Sequence, residues 1–105
     1  MMMSQNFNRR FSPNRRKTRV DAWFNSDLGR QRVVVLDVSF EGMKLKMPKA
    51  VPPGTAGTVD VFGNRIAALV HWWKDGSAGV RLAERLDRDL LVALENAADE
   101  LADYR

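Results

Sequence analysis

Two short patterns in this chain hold residue types suited to recognition chemistry: Arg15-x-x-x-Arg19 and, further along, Asp37-x-Ser39-x-x-Gly42. Guanidinium forks donate in pairs to phosphate oxygens and stack on flat purine faces. A carboxylate next to a hydroxyl at a glycine turn accepts from the donor edge of a guanine. In combination these types point to an anionic purine nucleotide. Alone, Asp37 and Ser39 read as turn residues bonding local backbone amides, and only the nearby arginines reverse that reading. Gly42 is conformational on either view.

Catalytic chemistry finds little to work with. There is no cysteine and a single histidine, His71, so neither a Cys-based site nor a histidine metal cluster can be assembled. No carboxylates pair at a recognisable spacing, and no nucleophile, base and orienting group can be named. The sequence is therefore read as a non-enzyme without metal or cofactor. His71 reads as an ordinary strand position.

The charge is unevenly distributed. Arg9, Arg10, Arg15, Arg16, Lys17 and Arg19 put six positive charges and no acid into the first 19 residues. Residues 20–105 hold 11 of the 17 basic residues against all 13 acids, so the basicity belongs to an arm. Residues 1–18 are polar, contain Pro13, and offer only Phe7 and Phe11 as large apolar groups beyond the opening methionines. Such a segment cannot offset its own ordering entropy and is expected to be flexible. No apolar run approaches a membrane span of roughly 18 residues, and the leading segment lacks the apolar centre of a secretory signal. A cytoplasmic location is expected.

Residues 19–105 must position the motifs, and their length fits one small domain. Short stretches of alternating polarity separated by turn residues read as six antiparallel strands. Val20, Ala22 and Phe24 share one face of the first, and a second runs from Arg30 to about Val38. The third covers Met43–Met47 and the fourth Thr58–Phe62. A Gly63-Asn64 hairpin turn leads to a fifth strand, Arg65–Trp73, whose Ile66, Ala68, Val70 and Trp72 alternate inward. On that alternation Trp72 fills the core, and Trp73 points the other way, covering the barrel or stacking on a base. Ala78–Leu82 is the sixth strand. The period then becomes helical: Asp87 is the cap, and Leu90, Leu94, Ala97, Leu101 and Tyr104 form an apolar stripe. The stripe reads as packing on the barrel, or alternatively on a second copy, so monomer and homodimer both stay open.

The chain resembles the PilZ domain, a small bacterial barrel that receives cyclic di-GMP. The resemblance rests on Arg15-x-x-x-Arg19 before the first strand, on Asp37-Val38-Ser39-Phe40-Glu41-Gly42 between the second and third, and on Ala68-Leu-Val-His-Trp72 with Gly79-Val-Arg-Leu82. It implies an all-β fold, a six-stranded antiparallel barrel with a C-terminal helix, over which a flexible basic N-terminal arm folds onto ligand at the outer surface. It also implies a ligand-binding set: Arg15 and Arg19 on phosphate and guanine, Asp37 on guanine nitrogens, Ser39 through its hydroxyl, Gly42 for close approach, and Arg16 as an extra contact. Glu41 departs from the small or neutral residue common there and is expected to face solvent. The implied role is a cyclic di-GMP receptor whose arm changes conformation and signals to a downstream partner protein, which the sequence does not name.

Two rival readings belong to other classes. A ligand-free PilZ scaffold would act through protein contacts alone. A barrel binding single-stranded nucleic acid is disfavoured, because residues 20–105 are slightly acidic and show no basic face with several interleaved aromatics.

Overall fold

The structure, a computed structural model, describes residues 16–103. Arg15, the rest of the arm and Tyr104 lie outside them. Six strands are formed: β1 (Arg16–Ser26), β2 (Gly29–Val38), β3 (Gly42–Lys46), β4 (Ala56–Val61), β5 (Asn64–Lys74) and β6 (Ser77–Leu82). A helix, α1 (Arg88–Asp103), follows. The strands close into one barrel in the order β1-β2-β3-β6-β5-β4, every neighbouring pair antiparallel. Closure comes from β4 pairing back onto β1, Trp23 opposite Asp60 through Ser26 opposite Gly57, which leaves no unpaired edge in the sheet.

The interior follows from period-2 alternation. Val20, Ala22 and Phe24 of β1 point inward with Val33 and Val35 of β2, Leu45 of β3, Val59 of β4, Val70 of β5 and Val80 of β6. β-branched residues dominate, as suits a half-buried pleated surface. α1 closes one side. Asp87 caps it as expected, its Oδ2 accepting from the Asp89 amide at 3.1 Å and the Leu90 amide at 3.4 Å. Leu94 of the expected stripe is buried on the barrel, with Leu90 and Ala97 packed at the margin, and Leu91, outside the expected stripe, is buried beside them. The buried Thr18 hydroxyl donates to the Leu94 carbonyl and ties β1 to the helix.

Three details depart from the sequence reading. First, β1 begins at Arg16, so Arg16, Lys17 and Thr18 belong to the barrel although the arm is expected through residue 18. The reason is the Thr18–Leu94 bond, a partner 76 positions away. Second, the hairpin turn is Phe62-Gly63, both with positive φ (52° and 77°), and Asn64 opens β5 opposite Val61. A non-glycine residue in that region is uncommon, which is why the sequence favours Gly63-Asn64. The Asn64 side chain steadies the turn by donating to the Phe62 carbonyl at 3.1 Å.

Third, Trp72 and Trp73 are exchanged. The β5–β6 register slips between Val70 and Trp72, so His71 is an extra residue and Trp72 emerges on the outer face. Trp73 packs against the core instead, its Nε1 donating to the Met47 carbonyl at 2.8 Å.

Candidate ligand-binding site

A bulge decides where Asp37 points. Val33 and Val35 face inward, and unbroken alternation would carry Asp37 inward with them. The β2–β3 register slips between Val35 and Asp37, leaving Leu36 as the extra residue. Inward packing resumes with Val38, and Asp37 is half-buried beside Lys44 of β3 and Lys17 of β1, its two register partners. A second slip, between Lys17 and Val20, lies on the strand next to it. Bulges of this kind re-aim single side chains at the cost of local pairing.

The turn after Asp37 is held by Ser39. Its amide donates to the Gly42 carbonyl at 2.9 Å, and its hydroxyl accepts from the amides of Gly42 (3.2 Å) and Glu41 (3.3 Å). Glu41 is exposed, as expected. Gly42 is required by close approach: a Cβ there would stand 2.9 Å from the Val80 carbonyl oxygen across the β3–β6 ladder. The loop is fastened to the β6–α1 connection by Leu82 and Leu86 amides donating to the Glu41 (2.9 Å) and Phe40 (2.7 Å) carbonyls. The Arg85 guanidinium lies 4.0 Å over the Phe40 ring. Asp37 and Ser39 thus stand on a braced corner that needs little reorganisation.

Arg16 stands opposite Val38 at the first position of β1, next to that corner, and its Nε is 3.5 Å from Glu95 Oε2 on α1. Arg19 is exposed farther along β1, on the outer side with Lys17. Of the six expected site residues, Arg16, Asp37, Ser39 and Gly42 adjoin one another, Arg19 lies along the same strand, and Arg15 falls outside the described residues. Sequence reasoning missed three cations. Lys17 and Lys44 flank Asp37, and the exposed Arg81 faces Gly42 across the β3–β6 ladder. Lys44 was legible as the basic face of an alternating strand, but its neighbour across the ladder was not. Together they make this corner cationic although acids and bases balance over residues 16–103 as a whole.

The corner is open outer surface. A groove between the β4–β5 turn and α1, lined by Phe62, Leu90, Ala93 and Ala97, contains none of these residues. At the far end of β1, Arg30 and Arg32 stack over Trp23 at 4.1 and 5.1 Å, a basic and aromatic pairing absent from the sequence reading. Arg65 and Asn25 sit beside it on Asp60, at 3.4 and 3.0 Å. Among the described residues, no three His, Cys, Asp or Glu side chains are grouped to hold a metal ion. No helix among them is long and apolar enough to cross a membrane.

A solved structure shares this architecture: the PilZ domain of CeSA from a cellulose-synthesizing bacterium, with a TM-score of 0.57 over 84% of this chain and 97% of that one. The fold is that of a PilZ domain. At 15% identity the likeness is one of backbone, and it covers the closed six-stranded barrel expected from the motifs. No protein-family model matches the sequence, and no curated protein does. The corner described above is formed by the start of β1 and the β2–β3 turn.

Proposed function

We propose that this chain is a receptor for cyclic di-GMP. The observation that carries the reading is the outward turn of Asp37 at the Leu36 bulge, next to the braced Ser39–Gly42 turn and the Arg16 end of β1. A carboxylate there accepts from the ring and amino nitrogens of a guanine, a donor pair that adenine lacks on that edge. Arg19, Arg16 and Arg15 supply forks for the two phosphates, with Lys17 and Lys44 as point charges. Ordering the arm costs conformational entropy, which several charge-assisted bonds of about 1.5–3 kcal/mol each must offset. Ligand binding then fixes the arm against the barrel and presents a changed surface to a partner protein.

One observation favours the ligand-free scaffold as the second reading. The Ser39 hydroxyl is already engaged with Gly42 and Glu41, a structural role that needs no ligand.

Calorimetric titration separates the two. The wild type should bind cyclic di-GMP in preference to GMP or excess single-stranded DNA. Arg19→Ala and Asp37→Ala should each weaken binding roughly ten- to hundredfold, at about 1.4 kcal/mol per decade. No heat from folded wild type at high ligand concentration sinks the receptor reading and leaves the scaffold.

A further inference from the structure

Trp23 stands on the outer face of β1, between the inward Ala22 and Phe24. The register sets Arg32 of β2 directly opposite it and Arg30 opposite Asn25, the next outward position along. Both guanidiniums lean onto the indole, 4.1 Å from the ring centre for Arg30 and 5.1 Å for Arg32. Both arginines are exposed, and neither is ion-paired among the described residues. Asp60, opposite Trp23 on the β4 side, pairs with Arg65 at 3.4 Å and accepts from Asn25 at 3.0 Å instead.

A guanidinium laid on an indole keeps its fork of donors at the edge and gives up side-chain freedom before any partner arrives. Two such forks at alternate positions of one strand lie about 6.8 Å apart. Carboxylates at alternate positions of an extended peptide have the same spacing, so the two can meet fork to fork in bidentate pairs. Trp and Arg are also the types that carry most energy at protein interfaces. The patch is short, because the exposed Asp21 and Asp27 bound it along the chain on either side of Trp23. A nucleic-acid strand needs a longer track of cations and would meet those acids, whereas a short acidic peptide fits between them. Every strand of the barrel is paired on both sides, so recognition here runs through side chains and not through an added strand.

We propose that Trp23, Arg30 and Arg32 form a docking site for an acidic segment of a partner protein, an extended stretch with carboxylates at alternate positions. The site lies seven positions along β1 from Arg16, roughly 20 Å away, at the other end of the strand from the Asp37 corner. It goes beyond the receptor reading and does not rest on it, since no nucleotide takes part. The indole is the positioning element: it holds the two forks in place for the carboxylates.

The test is amide chemical-shift titration of the full chain, without nucleotide, using a capped peptide that alternates Glu and Thr. A Gln-for-Glu peptide and an oligothymidylate are the comparison probes. The Glu peptide should saturate, with the largest shifts at Trp23, Arg30 and Arg32 and at the Trp23 indole proton, and the Gln peptide should bind at least about tenfold more weakly. The double variant Arg30→Lys, Arg32→Lys keeps the charge and loses the forks; it should bind the Glu peptide about tenfold more weakly, with an unchanged thermal melt. If the double variant fails to fold, Arg32→Lys alone should still weaken binding a few-fold. Undiminished binding in the lysine variants overturns the proposal, as does a Glu peptide that shifts the Lys17 and Lys44 corner instead, which would be attraction by charge alone. Tighter binding of the oligothymidylate at Trp23 overturns it in favour of a nucleic-acid surface. The receptor reading is untouched by any of these results, because it is decided by cyclic di-GMP titration.

Discussion

Gly42 and Ser39 sit in the proposed ligand motif, yet each has a structural duty that any binding experiment must separate. Adding a Cβ at Gly42 brings it within 2.9 Å of a backbone oxygen, which cannot rotate away. Gly42→Ala should therefore lower stability by about 1–3 kcal/mol, the usual range for overpacking, seen as a lower melting temperature with no ligand present. Ser39→Ala removes the acceptor for two turn amides and should cost about 1 kcal/mol in the same assay. Asp37 differs, since its outward orientation is set by the bulge. Asp37→Ala should lower the melting temperature less than Gly42→Ala does while weakening cyclic di-GMP binding roughly ten- to hundredfold. A fall in stability as large as that of Gly42→Ala would instead mark Asp37 as a structural residue. At this scale the sequence was informative: Asp37, Ser39 and Gly42 stood out as candidates by type and spacing once the arginines beside them were taken into account. The cations around them were not, because Lys17, Lys44 and Arg81 meet Asp37 and Gly42 only through cross-strand register.

Between elements, the contact of most consequence joins β1 to α1. Thr18 donates to the Leu94 carbonyl inside the protein, and Arg16 meets Glu95 one position further along the helix. Thr18→Val keeps the shape and removes this bond, which should cost about 1 kcal/mol. Hydrogen exchange should then quicken in α1 while β2 and β3 stay protected; uniform quickening would mean that the helix and barrel open as one unit. The Arg16–Glu95 pair is half-exposed and contributes at most about 1 kcal/mol to stability. Its interest lies in competition, since a phosphate that recruits Arg16 must draw it from Glu95. Glu95→Gln should therefore tighten cyclic di-GMP binding a few-fold, whereas weaker binding would show that Glu95 helps to hold Arg16 in place. The inward faces of β1 and β2 were readable from period-2 alternation. The bulges at Leu36 and His71 were not, because a bulge is a property of two strands in register and leaves no mark in either one alone. That is why the outward turn of Asp37 left no signal of its own and Trp72 and Trp73 read the wrong way round.

At the scale of the molecule, a closed barrel whose acids and bases balance over residues 16–103 carries a cationic corner next to the expected arm. An anion drawn to that corner is steered by charges screened over about 8 Å at physiological ionic strength, so affinity for cyclic di-GMP should fall as salt rises. Closure of the barrel supplies the rigidity, with every strand paired on both sides and the Ser39–Gly42 turn fastened to the β6–α1 connection. The six-strand count and the terminal helix were legible in the sequence. The starting point of β1 was not, since it depends on Thr18 finding a partner on the last helix.

Amide chemical-shift mapping of the isotopically labelled chain with cyclic di-GMP tests the central claim most directly, because it asks where on the barrel ligand sits. The account predicts the largest shifts at Lys17, Asp37, Ser39, Gly42 and Lys44. Shifts confined to the Trp23, Arg30 and Arg32 end of the barrel, or no shifts at saturating ligand, would contradict it.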